Sequence, residues 1–437
     1  MALQSKPTIL LLGTCDTKLA ELLFMKSTLE SQNTTVLLMD LGWNPTSNPE
    51  ISITQQTILH SIPDSDPKSK ITNLSSLDRE AYINTITAPA IQTVTDLFKE
   101  SFIHGILGIG GSCGTALSTS IMRDAFPIGF PKLMVSTMAS GDVTPYIGET
   151  DIGMIYSVVD IAGQNRVLDM ILGNAVGAIT GMARTYMERQ RLHSSEPQTQ
   201  SLTRIGITMF GVTTPGVTAA QEHLKKVFGE KCEIFIFHAT GSGGRTMERL
   251  IKEGQIDAVL DLTTTEIADE VVGGVLSAGE NRLQAATERN LPRIVSVGAC
   301  DMVNFGPAET MPSAFSDPGA KRLIYHHNPT VTIIRTTKEE CVQIGKLIAR
   351  NLIGKCGGND GVGCRTKVFL PVGGISLRDA PGQEFWDPAA DEALFSTLEE
   401  ELAGSHIEII RDQHNVNDPE FAIRVVDMLC DLIKASK

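Results

Sequence analysis

Residues 103–125, IHGILGIGGSCGTALSTSIMRDA, decide the fold. A short apolar run leads into a glycine-rich turn, and the segment after the turn has helical periodicity. A buried strand that passes directly into a helix is typical of a parallel sheet with crossover helices. The same order of apolar run, glycine or hydroxyl residues and helical segment recurs along the chain, and it predicts an α/β fold with mostly parallel sheets.

The apolar runs fall into two sets, and each set is expected to form a Rossmann-like domain of three layers. The first set is TILLL (8–12), TVLLMD (35–40), IHGILG (103–108) and KLMVS (132–136). The second set is RIGITMF (204–210), EIFIF (233–237), DAVLD (257–261), RIVSV (293–297), TVTIIR (330–335), KVFLP (367–371) and IEIIR (407–411). A long apolar helix candidate (164–187) and a polar segment (188–203) separate the sets. The predicted domains are therefore residues 1–195 and 196–437.

Composition agrees with two domains and excludes some classes of partner. The chain has 437 residues, which is more than one compact core usually supports. Its 37 basic and 51 acidic residues give a net charge of -14. That charge argues against nucleic acid or an anionic membrane as the main partner, but it allows a local basic pocket. The eight cysteines include no CxxC pair, and no apolar stretch approaches the roughly 20 residues of a membrane helix. A soluble, cytoplasmic protein with reduced thiols is expected.

Two glycine-rich turns after strands of the first domain are candidate anion sites. GTCDTK (13–18) follows TILLL, and GIGGSCGT (108–115) follows IHGIL. At the carboxyl ends of parallel strands, glycine lets the backbone approach a ligand and helix N-termini offer free N–H groups. Neither turn has the spacing of a P-loop or of GxGxxG. Simple capping by Asp16 or Thr17 is the alternative. The predicted ligand-binding residues here are Gly13, Thr14, Asp16, Thr17, Lys18, Gly110, Gly111, Ser112, Gly114 and Thr115.

A third motif, STMASGDV (136–143), follows the strand KLMVS and is expected at the same edge of the sheet. It adds Ser140 and Gly141 to the ligand-binding candidates. Asp142 could be a Mg²⁺ ligand together with Asp16, because Mg²⁺ combines carboxylate oxygens with substrate phosphates. The alternative for each aspartate is a helix cap or a turn.

The second domain repeats the pattern in HATGSGGRTMERL (238–250), where residues 241–244 could surround an anion and Arg245 could bind a carboxylate or phosphate. Further along, DLTTTEIADEVVGG (261–274) places three acidic residues on one helical face. Asp269 and Glu270 are expected on an exposed face. Glu266 lies nearest to the end of its strand and is expected to be functional.

Two other chemistries are weaker alternatives. Gly110, Ser112 and Gly114 satisfy the GxSxG pattern of a nucleophile elbow, which keeps a serine hydrolase open, although no acid and histidine follow in a suitable order. Cys356 and Cys364 flank a glycine-rich loop, but two cysteines cannot supply the four ligands of a structural zinc site.

As a set, several motifs resemble an uncharacterised two-domain family that includes the N-terminal half of a tomato protein conferring resistance to tobamoviruses. The motifs are GTCDTK, GIGGSCGT, STMASGDV with PYIGETDI, VVDIAGQNRV, HATGSGGRTME and PVGGIS with GQEFWDPAAD. The resemblance implies two Rossmann-like domains, a homodimer, and ATP with Mg²⁺ near the first-domain loops. Residue by residue it points to Gly13, Thr14, Asp16 and Lys18, and to Gly110, Gly111, Ser112, Gly114 and Thr115. Many relatives continue into a TIM-barrel-like domain; its absence before Lys437 implies a separately encoded partner or a self-sufficient role.

The predicted function is that of an enzyme that binds ATP·Mg²⁺ on the first-domain loops and a small anionic metabolite, a carboxylate, in the cleft between the domains. Lys18 would stabilise phosphate charge, Asp142 or Asp16 would position the metal, and Arg245 would hold the substrate. Glu266 is the fourth catalytic candidate. The alternative is a regulatory or protein-interaction module whose nucleotide occupancy is sensed by another protein without turnover.

Overall fold

The computed structural model describes residues 6–62, 71, 73–195, 202–353 and 365–436. The chain divides into two compact units, unit 1 (Met1–Pro197) and unit 2 (Gln198–Lys437). Both are α/β units built on a parallel sheet, as the sequence predicts. Within the described ranges, no helix is long and apolar enough to span a membrane.

Unit 1 contains a five-stranded sheet whose neighbouring strands are all parallel, in the order β2-β1-β3-β4-β5. The strands are β1 (Thr8–Gly13), β2 (Thr35–Asp40), β3 (Gly105–Gly110), β4 (Lys132–Ser136) and β5 (Gly153–Tyr156). The helices are α1 (Cys15–Ser31), α2 (Gln55–Leu59), α3 (Arg79–Lys99), α4 (Ser112–Ala125), α5 (Thr144–Ile147) and α6 (Arg166–Ser195). The sequence does not predict β5, because this edge strand has four residues and none of them is fully buried.

Both faces of the unit 1 sheet are covered, which makes the three layers. Alternate residues of β1 point to opposite faces: Leu10 and Leu12 lie in one apolar cluster, and Ile9 and Leu11 lie in another. All six residues of β1 are buried, so the strand is a continuous apolar run rather than an alternating one.

The strand order of unit 1 creates a crevice between β1 and β3. Helix α1 contributes Leu22 and Met25 to one apolar layer, whereas α4 contributes Leu117 and Ile121 to the other. The two helices therefore leave neighbouring strands toward opposite faces. In doubly wound sheets this topological switch point, at the carboxyl ends of the strands, is where ligands bind.

Unit 2 contains a parallel sheet of order β14-β13-β9-β8-β6-β7 and a small antiparallel sheet of order β10-β12-β11. Its described strands are β6 (Thr203–Met209), β7 (Cys232–His238), β8 (Ala258–Thr263), β9 (Arg293–Gly298), β10 (Met302–Phe305), β11 (Ile324–Asn328), β12 (Val331–Arg335), β13 (Thr366–Pro371) and β14 (Glu408–Asp412). Its described helices are α7 (Thr214–Phe228), α8 (Ser242–Lys252), α9 (Thr265–Val272), α10 (Gln284–Glu288), α11 (Ser313–Ser316), α12 (Lys338–Ile353), α13 (Pro388–Glu401) and α14 (Pro419–Lys434).

Two predictions about elements need correction. The run TVTIIR (330–335) is not part of the parallel sheet, because β12 pairs antiparallel with both β10 and β11. A short connection joins β11 to β12, and only antiparallel strands can be joined without a long crossover. The helix predicted at 164–187 is α6, which runs on to Ser195 and takes up part of the polar segment. The rest of that segment as far as residue 201, and both Cys356 and Cys364, lie outside the described residues.

Candidate functional site

The main candidate site is a cleft of about 270 Å³ in unit 1, at the carboxyl ends of β1 and β3. It therefore lies at the switch point, where the topology of the sheet predicts a ligand. Its lining residues are Thr14, Asp16, Thr17, Lys18, Trp43, Arg79, Tyr82, Gly111, Ser112, Cys113 and Gly114. We call it the switch-point cleft.

The N-termini of α1 and α4 both reach this cleft, but their caps differ. The N–H group of Cys15, the first residue of α1, donates to Asp40 Oδ1 (3.0 Å), whereas Gly111 before α4 offers no side-chain cap. The first N–H groups of a helix have no partner within the helix, and they carry the positive end of its dipole. Helix α4, with 14 residues, therefore offers uncapped backbone donors to an anion. Helix α1 is kinked at Lys18, so only a short first turn of it faces the cleft.

The β3–α4 turn depends on Gly110. A Cβ atom at this position would lie 2.8 Å from the Cα atom of Gly114, so only glycine lets the end of the strand approach the helix so closely. Thr115 does not line the cleft. It is buried behind the turn, where its hydroxyl donates to the carbonyl of Gly111 (2.7 Å) and shares a hydrogen bond with Ser136 (2.6 Å).

Two cationic side chains of the cleft have no carboxylate partner within ion-pair distance among the described residues. Lys18 Nζ donates to the carbonyl oxygen of Ile161 (2.6 Å), which leaves its charge without a counterion. Arg79, at the start of α3, is exposed and lies beside Cys113. Burial raises the pKa of the Cys113 thiol, while Arg79 opposes that shift. With Asp16, the lining carries two positive charges and one negative charge in a protein of net charge -14.

Asp16 holds two loops together. Its Oδ2 atom accepts from the backbone N–H groups of Trp43 (3.2 Å) and Asn44 (3.0 Å). Its Oδ1 atom is buried and has no hydrogen-bond partner. Asp16 is therefore not the cap of α1. One oxygen positions the loop after β2, and the other is buried against Gly42, near the carboxylate of Asp40.

Other predicted ligand-binding residues lie outside the lining of the cleft. A Cβ atom at Gly13 would meet the side chain of Leu22 at 2.8 Å, so Gly13 allows α1 to pack on its strand. Ser140, Gly141 and Asp142 follow β4 but do not contribute to the lining. Asp142 accepts from the N–H group of Thr144 (2.9 Å), and this interaction holds the pKa of the carboxyl below its usual value.

The paired-aspartate magnesium site is therefore not assembled. Across the described residues, no group of three or more histidine, cysteine, aspartate or glutamate side chains could hold a metal ion. Asp16 is the acidic residue in the lining of the switch-point cleft. Mg²⁺ is often held by one or two carboxylates together with substrate phosphates, so Asp16 fits that role when a phosphate ligand is present.

The motifs do not identify Trp43, Arg79, Tyr82 and Cys113 as residues of the cleft. The first three come from the loop after β2 and from α3, far along the chain from either glycine-rich turn. For Trp43, a signal that could have found it is the long irregular stretch at residues 41–78. Long loops at strand ends often cover sites, and this one does contribute Trp43.

In unit 2, the glycine-rich turn after β7 already holds an anion, the carboxylate of Glu266. The N–H groups of Gly241 (2.7 Å) and Gly244 (2.9 Å) both donate to its Oε1 atom. A Cβ atom at Gly244 would lie 2.0 Å from Oε2. The turn does surround an anion, as the sequence suggested, but that anion is a side chain of the protein and not a ligand. Glu266 is 0% exposed, so the expectation of a catalytic role is not supported.

Arg282 completes this buried cluster. It donates to Glu266 (2.9 Å), to Glu248 (2.9 Å) and to Asp261, and it is 1% exposed itself. Burial raises the pKa of Glu266, and the charge of Arg282 opposes that rise. Arg245, the predicted substrate ligand, donates to the carbonyl oxygen of Ser277 (2.8 Å).

The expectation that Asp269 lies on an exposed face is wrong. It is 0% exposed and accepts from the side chain (2.9 Å) and the backbone (3.1 Å) of Asn304, tying α9 to β10. Burial raises the pKa of Asp269 to about 7. The sequence spacing predicted the same exposed face for Asp269 and Glu270. In the structure Glu270 is half-buried and accepts a hydrogen bond from Ser277.

The switch point of unit 2 is bridged, whereas that of unit 1 is open. The hydroxyls of Thr213 and Thr263, after β6 and at the end of β8, share a hydrogen bond of 2.7 Å. The side-chain amide of Asn417 also reaches the carbonyl of Val212 (3.0 Å). These hydrogen bonds link the turn after β6 to the end of β8 and to the segment before α14.

Family models of the uncharacterised protein family UPF0261 match both halves of the chain, the N-terminal domain at residues 7–188 and the C-terminal domain at residues 202–433. The chain belongs to this family. A UPF0261 protein of Clostridium tetani is 43% identical over 429 residues, covering 98% of this chain and 99% of that protein. The UPF0261 protein RA0729 of Rhizobium meliloti is 42% identical and covers 97% and 98%.

The resemblance to the tomato family member is confirmed. The ToMV resistance protein Tm-1(GCR237) of Solanum lycopersicum is 36% identical over the whole of this chain, which spans 57% of the tomato protein. Among solved structures, a UDP-N-acetylglucosamine 2-epimerase from Rickettsia bellii aligns over 67% of this chain and 79% of its own, with 11% identity and a TM-score of 0.20. A likeness that remote supports no inference about function.

Two other cavities of this UPF0261 chain suit an anion less well. One of about 700 Å³ lies beside the loop at residues 45–49 and is lined by Asp40 and neutral residues, with no basic side chain. Another of about 420 Å³ is lined by Lys346 and Arg350, but also by Glu270 and Glu280, so its charges cancel. Of the three cavities, the switch-point cleft combines an excess of cationic side chains with helix N-termini.

The geometry gives no support to the serine hydrolase alternative. A nucleophile elbow requires a strained turn, yet Ser112 is not among the described non-glycine residues with positive φ. No histidine lines the cleft to act as its base.

Proposed function

We propose that this protein binds ATP with Mg²⁺ and that the phosphates of ATP occupy the switch-point cleft of unit 1. The observation that carries the proposal is the meeting of the uncapped N-terminus of α4 and the first turn of α1 with Lys18 and Arg79. Neither cation has a carboxylate partner among the described residues. Backbone N–H groups and charge-assisted side-chain donors together are the usual means by which proteins hold phosphate.

The size of the cleft fits the phosphate-bearing part of a nucleotide. Its volume of about 270 Å³ falls just below the range of roughly 300–1,000 Å³ typical of complete small-molecule pockets. In the proposal, the polyphosphate lies between the N-termini of α1 and α4, and the rest of the nucleotide extends beyond them. Asp16, the carboxylate in the lining of the cleft, would hold Mg²⁺, and the metal would neutralise phosphate charge.

The proposed activity is an enzymatic reaction in which ATP is used on a small anionic metabolite that carries a carboxylate. Lys18 would leave the carbonyl of Ile161 and donate to a phosphate oxygen, where it stabilises the charge that develops during phosphoryl transfer. Arg79 offers a planar guanidinium suited to a phosphate or to the carboxylate of the second substrate.

One observation favours a second candidate, a regulatory module without turnover. Lys18 and Glu21 of α1 both hold the loop after β5, through the carbonyl of Ile161 (2.6 Å) and the N–H group of Gly163 (2.7 Å). A phosphate that takes Lys18 away would remove one of these two restraints. Nucleotide occupancy would then change the position of that loop, which a partner could recognise.

Binding is tested by calorimetry of the full chain with ATP and Mg²⁺, using Lys18→Met and Arg79→Met. Each substitution removes a charge-assisted hydrogen bond and is expected to weaken ATP binding by about 10- to 100-fold. Lys26→Met is the matched control, because Lys26 lies further along α1 and pairs with Glu30 (2.9 Å) and Glu50 (2.6 Å) outside the cleft. Absence of ATP binding, or equal effects of all three substitutions, would refute the proposal.

Turnover separates the two candidates once binding is established. Release of phosphate or ADP with a panel of small carboxylic acids supports the enzyme. Binding without turnover, accompanied by faster hydrogen exchange in residues 157–165 when ATP is present, supports the regulatory module.

A further inference from the structure

Two aromatic side chains contribute to the lining of the switch-point cleft and form what we call its aromatic wall. The rings of Trp43 and Tyr82 stack, with centroids 6.0 Å apart and an interplanar angle of 21°. Tyr82 lies one turn after Arg79 on the same face of α3, so a cation and the aromatic pair are presented together. Neither a bare phosphate nor a small carboxylate makes use of such a wall.

The indole ring of Trp43 is held in place from several directions. Its Nε1 atom donates to the carbonyl oxygens of Leu74 (3.0 Å) and Leu77 (3.2 Å). Its backbone N–H group donates to Asp16 Oδ2 (3.2 Å). The hydroxyl of Tyr82 donates to the carbonyl of Leu41, and Tyr82 is 1% exposed.

These contacts determine what the wall can offer a ligand. The only polar group of the indole is already satisfied, so the ring can contribute its apolar face but no hydrogen bond. A fixed aromatic face next to a phosphate site is suited to a flat heteroaromatic ring, because stacking needs the ring in place before the ligand arrives. The loop that carries Trp43 is tied by Asp16 to the phosphate-binding turn of α1, which couples the two parts of the site.

We propose that the face of Trp43 receives the heteroaromatic ring of a nucleotide whose phosphates lie at the N-termini of α1 and α4. The inference rests on the proposed function and adds to it the contact that distinguishes a nucleotide from an inorganic polyphosphate. It makes the ligand a nucleotide rather than a polyphosphate. It also makes Asp16 a positioning residue for the ring subsite in addition to its role toward Mg²⁺.

The test compares ATP with inorganic tripolyphosphate, which carries the phosphates without the ring. Calorimetry of the full chain with Mg²⁺ is expected to give an ATP affinity about 5- to 150-fold higher than that for tripolyphosphate, the range typical of one base stacked on an aromatic side chain. GTP is expected to bind within a few-fold of ATP, since stacking accepts any base.

Three variants assign the difference to Trp43. Trp43→Leu is expected to remove the preference for ATP over tripolyphosphate, while tripolyphosphate binding stays within about twofold of the wild type. Trp43→Phe is expected to keep most of the preference for ATP. The chain has two tryptophans, so Trp386→Phe leaves Trp43 as the only indole. In that variant, ATP is expected to quench the fluorescence and tripolyphosphate is not.

Each contrary result has its own meaning. If the wild type binds both ligands equally, or if Trp43→Leu weakens both equally, the ring subsite is refuted while the anion site stands. If the wild type binds neither ligand, the proposed function fails and the subsite fails with it. Should Trp43→Leu not fold, the wild-type preference and the Trp43→Phe variant still decide the question.

Discussion

Glu266→Ala tests whether the anion in the turn after β7 is structural, and the expected result is a large loss of stability. The side chain is 0% exposed, and three donors depend on it: the N–H groups of Gly241 and Gly244 and the Nε atom of Arg282. A buried N–H group left without an acceptor costs about 1–3 kcal/mol. Breaking a buried ion pair from one side costs about 3–5 kcal/mol.

These contributions overlap, because Arg282 keeps Glu248 and Asp261 as partners. We therefore expect Glu266→Ala to lower the free energy of unfolding by about 4 kcal/mol, within the range for a broken buried pair. Glu266→Gln is expected to cost about 2 kcal/mol, since an amide oxygen can still accept from the two glycines but the charge is lost. Glu270→Ala, at a half-buried position on the same helix, is expected to cost less than about 1 kcal/mol.

The assay is urea denaturation of the full chain followed by far-UV circular dichroism, together with calorimetry for ATP under conditions where each variant is folded. A loss below about 1 kcal/mol for Glu266→Ala would contradict the structural role. So would a Glu266→Gln variant of wild-type stability that has lost turnover, because that result would restore Glu266 as a catalytic residue.

Three further predictions concern pH and glycine. Burial, followed by the neighbouring carboxylate of Asp379, raises the pKa of Asp391 from 3.8 to about 9. Asp391 also accepts from Arg335 (2.6 Å), whose charge opposes that rise. Because the pKa is higher in the folded state than in the unfolded chain, this group contributes less to stability as pH rises above about 4. Asp391→Asn should therefore make urea midpoints less dependent on pH above that value. Gly110→Ala should destabilise unit 1 by about 1–3 kcal/mol in the same denaturation assay, because the added Cβ atom would clash with the backbone of Gly114. Gly114→Ala is the control and should be close to neutral, since its Cβ atom would meet its nearest neighbour at 3.4 Å. Gly177→Ala on α6 should stabilise the protein by about 0.5–1 kcal/mol, because alanine favours a helix more than glycine does and the added Cβ atom would meet nothing within 4 Å. The sedimentation coefficient of this variant should equal that of the wild type. If the variant instead loses a dimer seen for the wild type, the predicted homodimer contact lies on this face of α6.

Much of the fold is predictable from the sequence because it depends on local pattern. Continuous apolar runs such as TILLL can be buried only between two layers of helices, and the glycine and hydroxyl residues after them end the strands. The same logic places the turns at 13–18 and 108–115 at the carboxyl ends of strands. That the two turns form one site follows from the pairing of β1 with β3, which only the structure shows. The antiparallel pairing of β12 and the edge strand β5 are not visible in that pattern, because partner choice is not encoded in the periodicity of one strand.

The candidate site is only partly predictable for a related reason. Lys18, Ser112 and their neighbours belong to the turns themselves, so position along the chain suffices to place them. Trp43 and Arg79 reach the cleft from other elements, held there by contacts such as that between Asp16 and the backbone of Trp43. No spacing rule connects these residues.

By itself, therefore, the sequence determined two α/β domains, their strand-to-helix turns and the presence of backbone donors after the strands. Only the tertiary structure decided which of those donors are free. In unit 1 the turns meet at an open switch point that carries unpaired cations. In unit 2 the glycine-rich turn after the edge strand β7 is filled by Glu266, which follows Gly241 by 25 positions in the chain. A glycine-rich turn offers the same N–H groups in both cases, and folding determines whether a side chain of the protein reaches them before a ligand can.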